Sequence, residues 1–186
     1  MDRIEIVHVE LFSNNRVGFI SMRAHTTKDG HPLPSFVFVR GHAVAVLLFV
    51  NDKLLLVEQY RVPVQETRLE APAGMIDESG DFVGVAAAEI EEETGIKIRK
   101  EDLKPLGSYT PSPGASDEEL FLYYCEVKLG EEELKEVEGK IHGEEGSKER
   151  IRVRLVDYTP ANILATRDSA LIYAAYAYQA AKNKQI

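Results

Sequence analysis

Tryptophan is absent from this chain of 186 residues, and cysteine occurs once. A single thiol makes no internal disulfide, so core packing and hydrogen bonds must hold the fold, and a reducing compartment suits it. Cys125 lies in the apolar run 120–127 and reads as a small core residue, not as a nucleophile. His8, His25, His31, His42 and His142 are scattered, without a His-x-x-x-His pair, and read as surface or satisfied strand residues. No Gly-x-Ser-x-Gly elbow and no Gly-x4-Gly-Lys-Ser/Thr loop occurs, which sets aside serine-hydrolase and P-loop chemistry. No apolar run approaches the roughly 18 residues of a membrane span. No basic and apolar leader precedes the first strand-like stretch. The expectation is a cytoplasmic protein without membrane contact. Basic residues are also in short supply, 22 against 31 acidic ones, for a formal net charge of −9. That balance argues against nucleic acid as a partner, because nonspecific binding depends on Lys and Arg neutralising phosphates.

What is present is an ordinary globular composition, 44% hydrophobic and 28% charged, in a length that suits one domain with a sizeable core. Alternating patterns predict strands at 3–12, at 16–25 and 35–40 around Lys28-Asp29-Gly30, and at 43–50 and 53–60 across Asn51-Asp52. Further strands are expected near 104–109, 119–128 and 150–156, with helices over about 82–94, 131–138, 159–165 and 168–182. Strands with two substantial helices make the fold class α+β.

The most informative segment is residues 71–96, where Glu89, Glu92 and Glu93 stand at i, i+3 and i+4. On a helix all three leave from one side and repel one another. Asp81 suits the N-cap and Gly95 the C-terminal stop. At about 100° per residue, Val83, Ala87, Ile90 and Thr94 form the core stripe. Glu89 and Glu93 flank it closely, Glu92 lies farther round, and Glu91 falls on the opposite flank. A solvated acidic face is the commoner fate of such a helix; the alternative is a hard divalent cation, which prefers carboxylate oxygens.

Gly74, followed by Glu89-Ile90-x-Glu92-Glu93-x-Gly95-Ile96, resembles the Nudix box, with its spacing kept without a gap. The preceding Leu56-Val57-Glu58-Gln59-Tyr60-Arg61 and Leu69-Glu70-Ala71-Pro72-Ala73-Gly74 are similar to the strand and loop of ADP-ribose and related nucleoside diphosphate sugar pyrophosphatases. So is Ser112-Pro113-Gly114-Ala115-Ser116-Asp117-Glu118 to their proline-bearing loop. The resemblance covers about residues 40–180. Two positions depart from the box: Gly80 stands where it carries its first Glu, and Ala88 where it carries Arg.

The resemblance implies a Nudix fold, a mixed β-sheet sandwiched between α-helices. It implies one domain over 1–186, with an N-terminal antiparallel β segment at 1–40 and a catalytic core at 41–186, assembled as a homodimer. It implies Mg2+, with Mn2+ as a substitute, held by Glu89, Glu93, Glu92 and the carbonyl of Ala73, Pro72 stiffening that loop and Gly74 letting it turn sharply. Glu92 is either a ligand or a base. The general base otherwise comes from the loop at 143–149, where Glu149 aligns and Glu145 or Glu144 is the alternative. Arg61 would hold a phosphate or terminal sugar, or else form an ion pair with Glu70. Glu118 would contact metal or sugar. The implied reaction is hydrolysis of the diphosphate bond of a nucleoside diphosphate sugar such as ADP-ribose or ADP-glucose. The missing box Arg leaves room for a weakened domain that binds such a ligand. A hydrolase of UDP-glucose, a dinucleotide or a nucleoside triphosphate is a further alternative.

Overall fold

The computed structural model describes residues 4–6, 18–26, 32–76, 80–142 and 150–183, with side chains from residue 40 onward. The chain divides into two compact units, Met1–His42 with Tyr109–Glu119, and Ala43–Ser108 with Leu120–Ile186. In the first, β1 (Ile4–Ile6), β2 (Gly18–Thr26) and β3 (Pro32–Val39) form an antiparallel sheet in that order. The rest of the strand expected at 3–12, and the turn at Lys28-Asp29-Gly30, lie outside the described residues.

The second unit is built on an eight-stranded mixed sheet. Its centre is the hairpin of β4 (Ala43–Val50) and β5 (Lys53–Arg61). Asn51 makes the turn with φ 50°, a left-handed conformation that Asn tolerates. Its side chain also donates to the Leu129 carbonyl at 2.9 Å and accepts the Leu129 N–H at 3.0 Å. The two strands pair only near that turn, from Leu48 opposite Leu55 to Val50 opposite Lys53. Beyond it they part. β6 (Glu66–Glu70) continues along β5, and β7 (Ala73–Met75) runs along the start of β4. The chain from Glu70 to Ala73 therefore crosses the fork between the two arms.

After β7 come α1 (Phe82–Thr94), a 3-10 turn at Lys100–Asp102, β8 (Lys104–Tyr109) and β9 (Leu120–Val127). Then follow α2 (Glu131–Val137), β10 (Ile141–His142), β11 (Ile151–Asp157), α3 (Pro160–Thr166) and α4 (Ser169–Asn183). β9 pairs β4 in parallel, and β11 pairs β5 antiparallel. The period of two along β4 sorts its side chains to two faces. Val44, Val46, Leu48 and Val50 share one cluster with Ala86 and Ile90 of α1. The alternate residues turn to α4, where the Phe49 ring lies 5.1 Å from those of Tyr158 and Tyr178. The expected sandwich of a mixed sheet between helices is present. Ile90 is fully buried, and an aliphatic side chain so placed contributes about 1.5–3 kcal/mol.

Cys125 is buried, and that burial is the first cause raising its thiol above the ordinary value. His142 departs from the expectation of a surface or satisfied histidine. Its Nε2 is buried with no hydrogen-bond partner among the described residues. Burial first, then the charge of Lys140, lower its pKa. No helix among the described residues is long and apolar enough to cross a membrane.

Candidate active site

α1 begins and ends where its sequence dictates. Asp81 accepts the N–H of Gly84 at 2.9 Å, satisfying one of the unpaired amides of the first turn. Gly95 closes the helix with φ 73° and donates to the Glu91 carbonyl, the conformation that favours glycine. The buried stripe is Ala86, Ile90, Glu93 and Thr94, where Val83, Ala87, Ile90 and Thr94 were expected. The helix is turned by about one position, Val83 and Ala87 are half-buried, and a glutamate enters the covered face.

That glutamate has a partner. Glu93 is 6% exposed, and its Oε2 accepts the Ala73 N–H at 3.1 Å. A buried carboxylate without donors or a cation is costly. The sheet register explains why the Ala73 amide is available. Val46 donates to the Pro72 carbonyl at 2.9 Å, and Ala45 stands opposite Ala73. Bonded and non-bonded pairs alternate in an antiparallel ladder. Ala45–Ala73 is thus a non-bonded pair, and the amide and carbonyl of Ala73 both point away from β4.

Glu89, one turn earlier, lies against Gly74. A Cβ at Gly74 would fall 1.8 Å from Glu89 Cδ and Oε1. Gly74 is not among the glycines with positive φ, so the sharp turn expected of it is replaced by a different role: it leaves room for a carboxylate. Ala73, Gly74, Glu89 and Glu93 are therefore brought together. Glu92 is exposed on the helix surface, and Glu91 pairs with Lys97 at 3.1 Å. Ala88 is exposed.

Arg61 and Glu70 meet across β5 and β6. The guanidinium Nε lies 3.0 Å from both carboxylate oxygens and Nη2 lies 2.5 Å from Oε2. The ion pair was one of the two readings of Arg61, and Glu70 occupies the Nε and Nη2 edge of its donor fork. Glu118 belongs to the unit Met1–His42 with Tyr109–Glu119. There it is 9% exposed and 3.3 Å from Arg40 Nη1. Glu144, Glu145 and Glu149 lie outside the described residues.

Asp168 stands at the start of the helix expected over about 168–182, where an Asp suits the N-cap. Its Oδ1 does accept the Ala170 N–H at 2.9 Å, while Oδ2 accepts the Ala71 N–H at 2.9 Å. Burial pushes its carboxyl above the ordinary 3.8, and these N–H groups oppose the shift. The cap was legible from Asp168-Ser169; the second bond spans 97 residues and leaves no local signal.

Among the described residues no three His, Cys, Asp or Glu side chains gather as a metal-holding group. The donor set here is smaller: Glu89, Glu93 and the outward Ala73 carbonyl. Mg2+ characteristically keeps several waters and uses one or two carboxylates together with substrate phosphates. The residues present fit an ion of that kind.

A family model for the NUDIX domain matches residues 39–168, and the chain belongs to the Nudix family. It is 37% identical over 174 residues to Nudix hydrolase 14, chloroplastic, of Arabidopsis thaliana, covering 85% of this chain and 56% of that protein. It is 35% identical over 133 residues to the ADP-ribose pyrophosphatase of Escherichia coli strain K12, covering 68% of this chain and 60% of that protein. The chain thus spans a little over half the length of these curated relatives. The crystal structure of an ADP compounds hydrolase superimposes with a TM-score of 0.71 over 100% of this chain and 97% of that one. At 18% identity that likeness carries the fold alone.

Proposed function

We propose that the chain hydrolyses the diphosphate bond of a nucleoside diphosphate sugar, with ADP-ribose or ADP-glucose as the first candidates, giving AMP and a sugar phosphate. The observation that carries this reading is the gathering of Glu89, Glu93 and the Ala73 carbonyl at the fork of the sheet. The similarity to an ADP-ribose pyrophosphatase supports the choice of substrate.

In the reaction water adds across the P–O–P bridge. The attacked phosphorus gains the hydroxyl, the bridging oxygen leaves on the other phosphate, and a proton is released. Phosphoryl transfer of this kind needs positioning and charge stabilisation more than covalent chemistry. A bound divalent ion, Mg2+ with Mn2+ as a substitute, would supply charge neutralisation at the phosphate oxygens and a more acidic water. Glu89, Glu93 and the Ala73 carbonyl would hold it, with Glu92 as a further ligand or base. Arg61, held by Glu70, is proposed to contact phosphate or sugar. Glu149 is the first candidate for general base and Glu145 the second. Glu118 is proposed as a contact to metal or sugar. The whole assembles as a homodimer of a single Nudix domain, in the cytoplasm.

The test is release of AMP from ADP-ribose and ADP-glucose with Mg2+, and its loss with chelator, alongside UDP-glucose, a dinucleotide and a nucleoside triphosphate. Light scattering on the same sample should give the mass of two 20.8 kDa chains. Ala88, exposed and without a guanidinium, favours a second reading, a domain that binds the ligand with little turnover. Tight binding of ADP-ribose with no product at high protein concentration would establish that second reading and reject the first.

A further inference from the structure

We propose that Asp168 is a positioning residue for the metal: through the Ala71 N–H it fixes the strand-crossing segment that presents the Ala73 carbonyl. This rests on the metal site of the proposed function.

A helix cap needs one acceptor oxygen, and Asn or Ser serves as well as Asp. A half-buried carboxylate costs more to maintain than either. Asp168 uses its extra oxygen on Ala71 at 2.9 Å, outside its own helix. The corner that carries it is built for this placement. Arg167, immediately before it, takes a left-handed conformation with φ 55°, unfavourable for a residue with a Cβ and kept where surroundings enforce it. The Arg167 guanidinium reaches Glu66 at 2.9 Å. Thr166 Oγ1 accepts the Asp168 N–H at 3.1 Å and donates to the Ile163 carbonyl at 2.7 Å. The α3–α4 corner thereby holds β6 at its first residue and again just past its last.

From α1, Glu93 takes the Ala73 N–H. Between the two carboxylates, Pro72 has a fixed φ, and its carbonyl accepts the Val46 N–H. The Ala71 N–H, the Pro72 ring and carbonyl, and the Ala73 N–H are therefore all restrained. The Ala73 carbonyl is the next acceptor along this segment, and its direction follows from these four restraints. Removing the Asp168 restraint frees one end of the segment while leaving Glu89 and Glu93 in place.

The experiment uses the full chain without substrate. Mn2+ affinity is read from the free-ion signal in electron paramagnetic resonance. Asp168→Asn keeps an oxygen for the cap and loses the Ala71 acceptor. It should bind Mn2+ about tenfold more weakly, the size expected for loss of a group that orients a ligand. With ADP-ribose, its kcat at low Mn2+ should fall and recover as Mn2+ is raised, with KM little changed. Ala174→Gly, which weakens α4 without touching the segment, should keep wild-type affinity. If Asn prevents folding, Asp168→Ser provides the same comparison, being a good cap too short to reach Ala71. Equal Mn2+ affinity in wild type and a folded Asp168 variant overturns this inference and leaves the proposed function standing. A loss in Ala174→Gly as large as in Asp168→Asn also overturns it. Wild-type protein that binds no Mn2+ overturns both.

Discussion

Gly74 shows how a residue without a side chain contributes to a charged site. Its backbone is compatible with alanine, since its φ is not positive, so the obstacle to Gly74→Ala is the Glu89 carboxyl, 1.8 Å from the added carbon. The substitution should leave the fold intact and push Glu89 off its seat, weakening Mn2+ binding about tenfold or more. The coupling has a further signature. In Gly74→Ala/Glu89→Ala the clash is gone, so the pair should bind Mn2+ no worse than Glu89→Ala alone, a departure from additivity that residues in contact display. Titration calorimetry on the four proteins decides it; additive losses would mean that Gly74 acts on something other than Glu89.

At the scale of the element, α1 is secured at its start by Asp81, which Lys100 contacts through its ammonium group. That hydrogen bond first, and the Gly84 N–H second, hold the Asp81 carboxyl below its ordinary 3.8. A folded pKa depressed in this way stabilises the protein above the unfolded value and ceases to do so as pH falls through the folded one. Asp81→Asn keeps the cap but cannot titrate. Melting temperatures should therefore differ between wild type and variant at neutral pH, converge as pH falls below about 4, and coincide in stronger acid. A gap that stays constant from neutral to acid pH would remove the carboxylate from the account. Asp81, Gly95 and the Glu89–Glu93 spacing were all legible in the sequence because caps and helical periods are local. The hairpin of β4 and β5 was legible for the same reason. β6 and β7 were not: they are five and three residues long, they flank an Ala-Pro, and their pairing depends on the fork between two other strands. Glu93 reads as flanking the core stripe because a glutamate is penalised inside one, and the Ala73 amide that offsets the penalty is distant in sequence. The Asp168–Ala71 bond was not legible, because nothing near either residue in sequence marks the other.

For the molecule as a whole, the difficulty is that a chain of formal charge −9 is proposed to take an anionic diphosphate. The excess of acid is unevenly distributed. On one stretch of β5, β6, β11 and the α3 end, Arg152 and Arg154 share Glu58, and Arg68 and Arg167 share Glu66. Acid predominates elsewhere, as in the first turn of α2 with Glu131, Glu132 and Glu133. On the proposed function, the substrate would meet the net charge at long range, and close in it would meet Arg61 and the divalent ion. Monovalent salt separates the two, because the screening length falls from about 30 Å at 0.01 M to about 10 Å at 0.1 M, shorter than the molecule but longer than a contact. If net repulsion limits encounter, kcat/KM for ADP-ribose at fixed, saturating Mg2+ should rise about twofold over that range, opposite in sign to enzymes that steer oppositely charged substrates. A fall over the same range would place the controlling field at the local arginines, and the chain's overall acidity would then have no part in substrate capture.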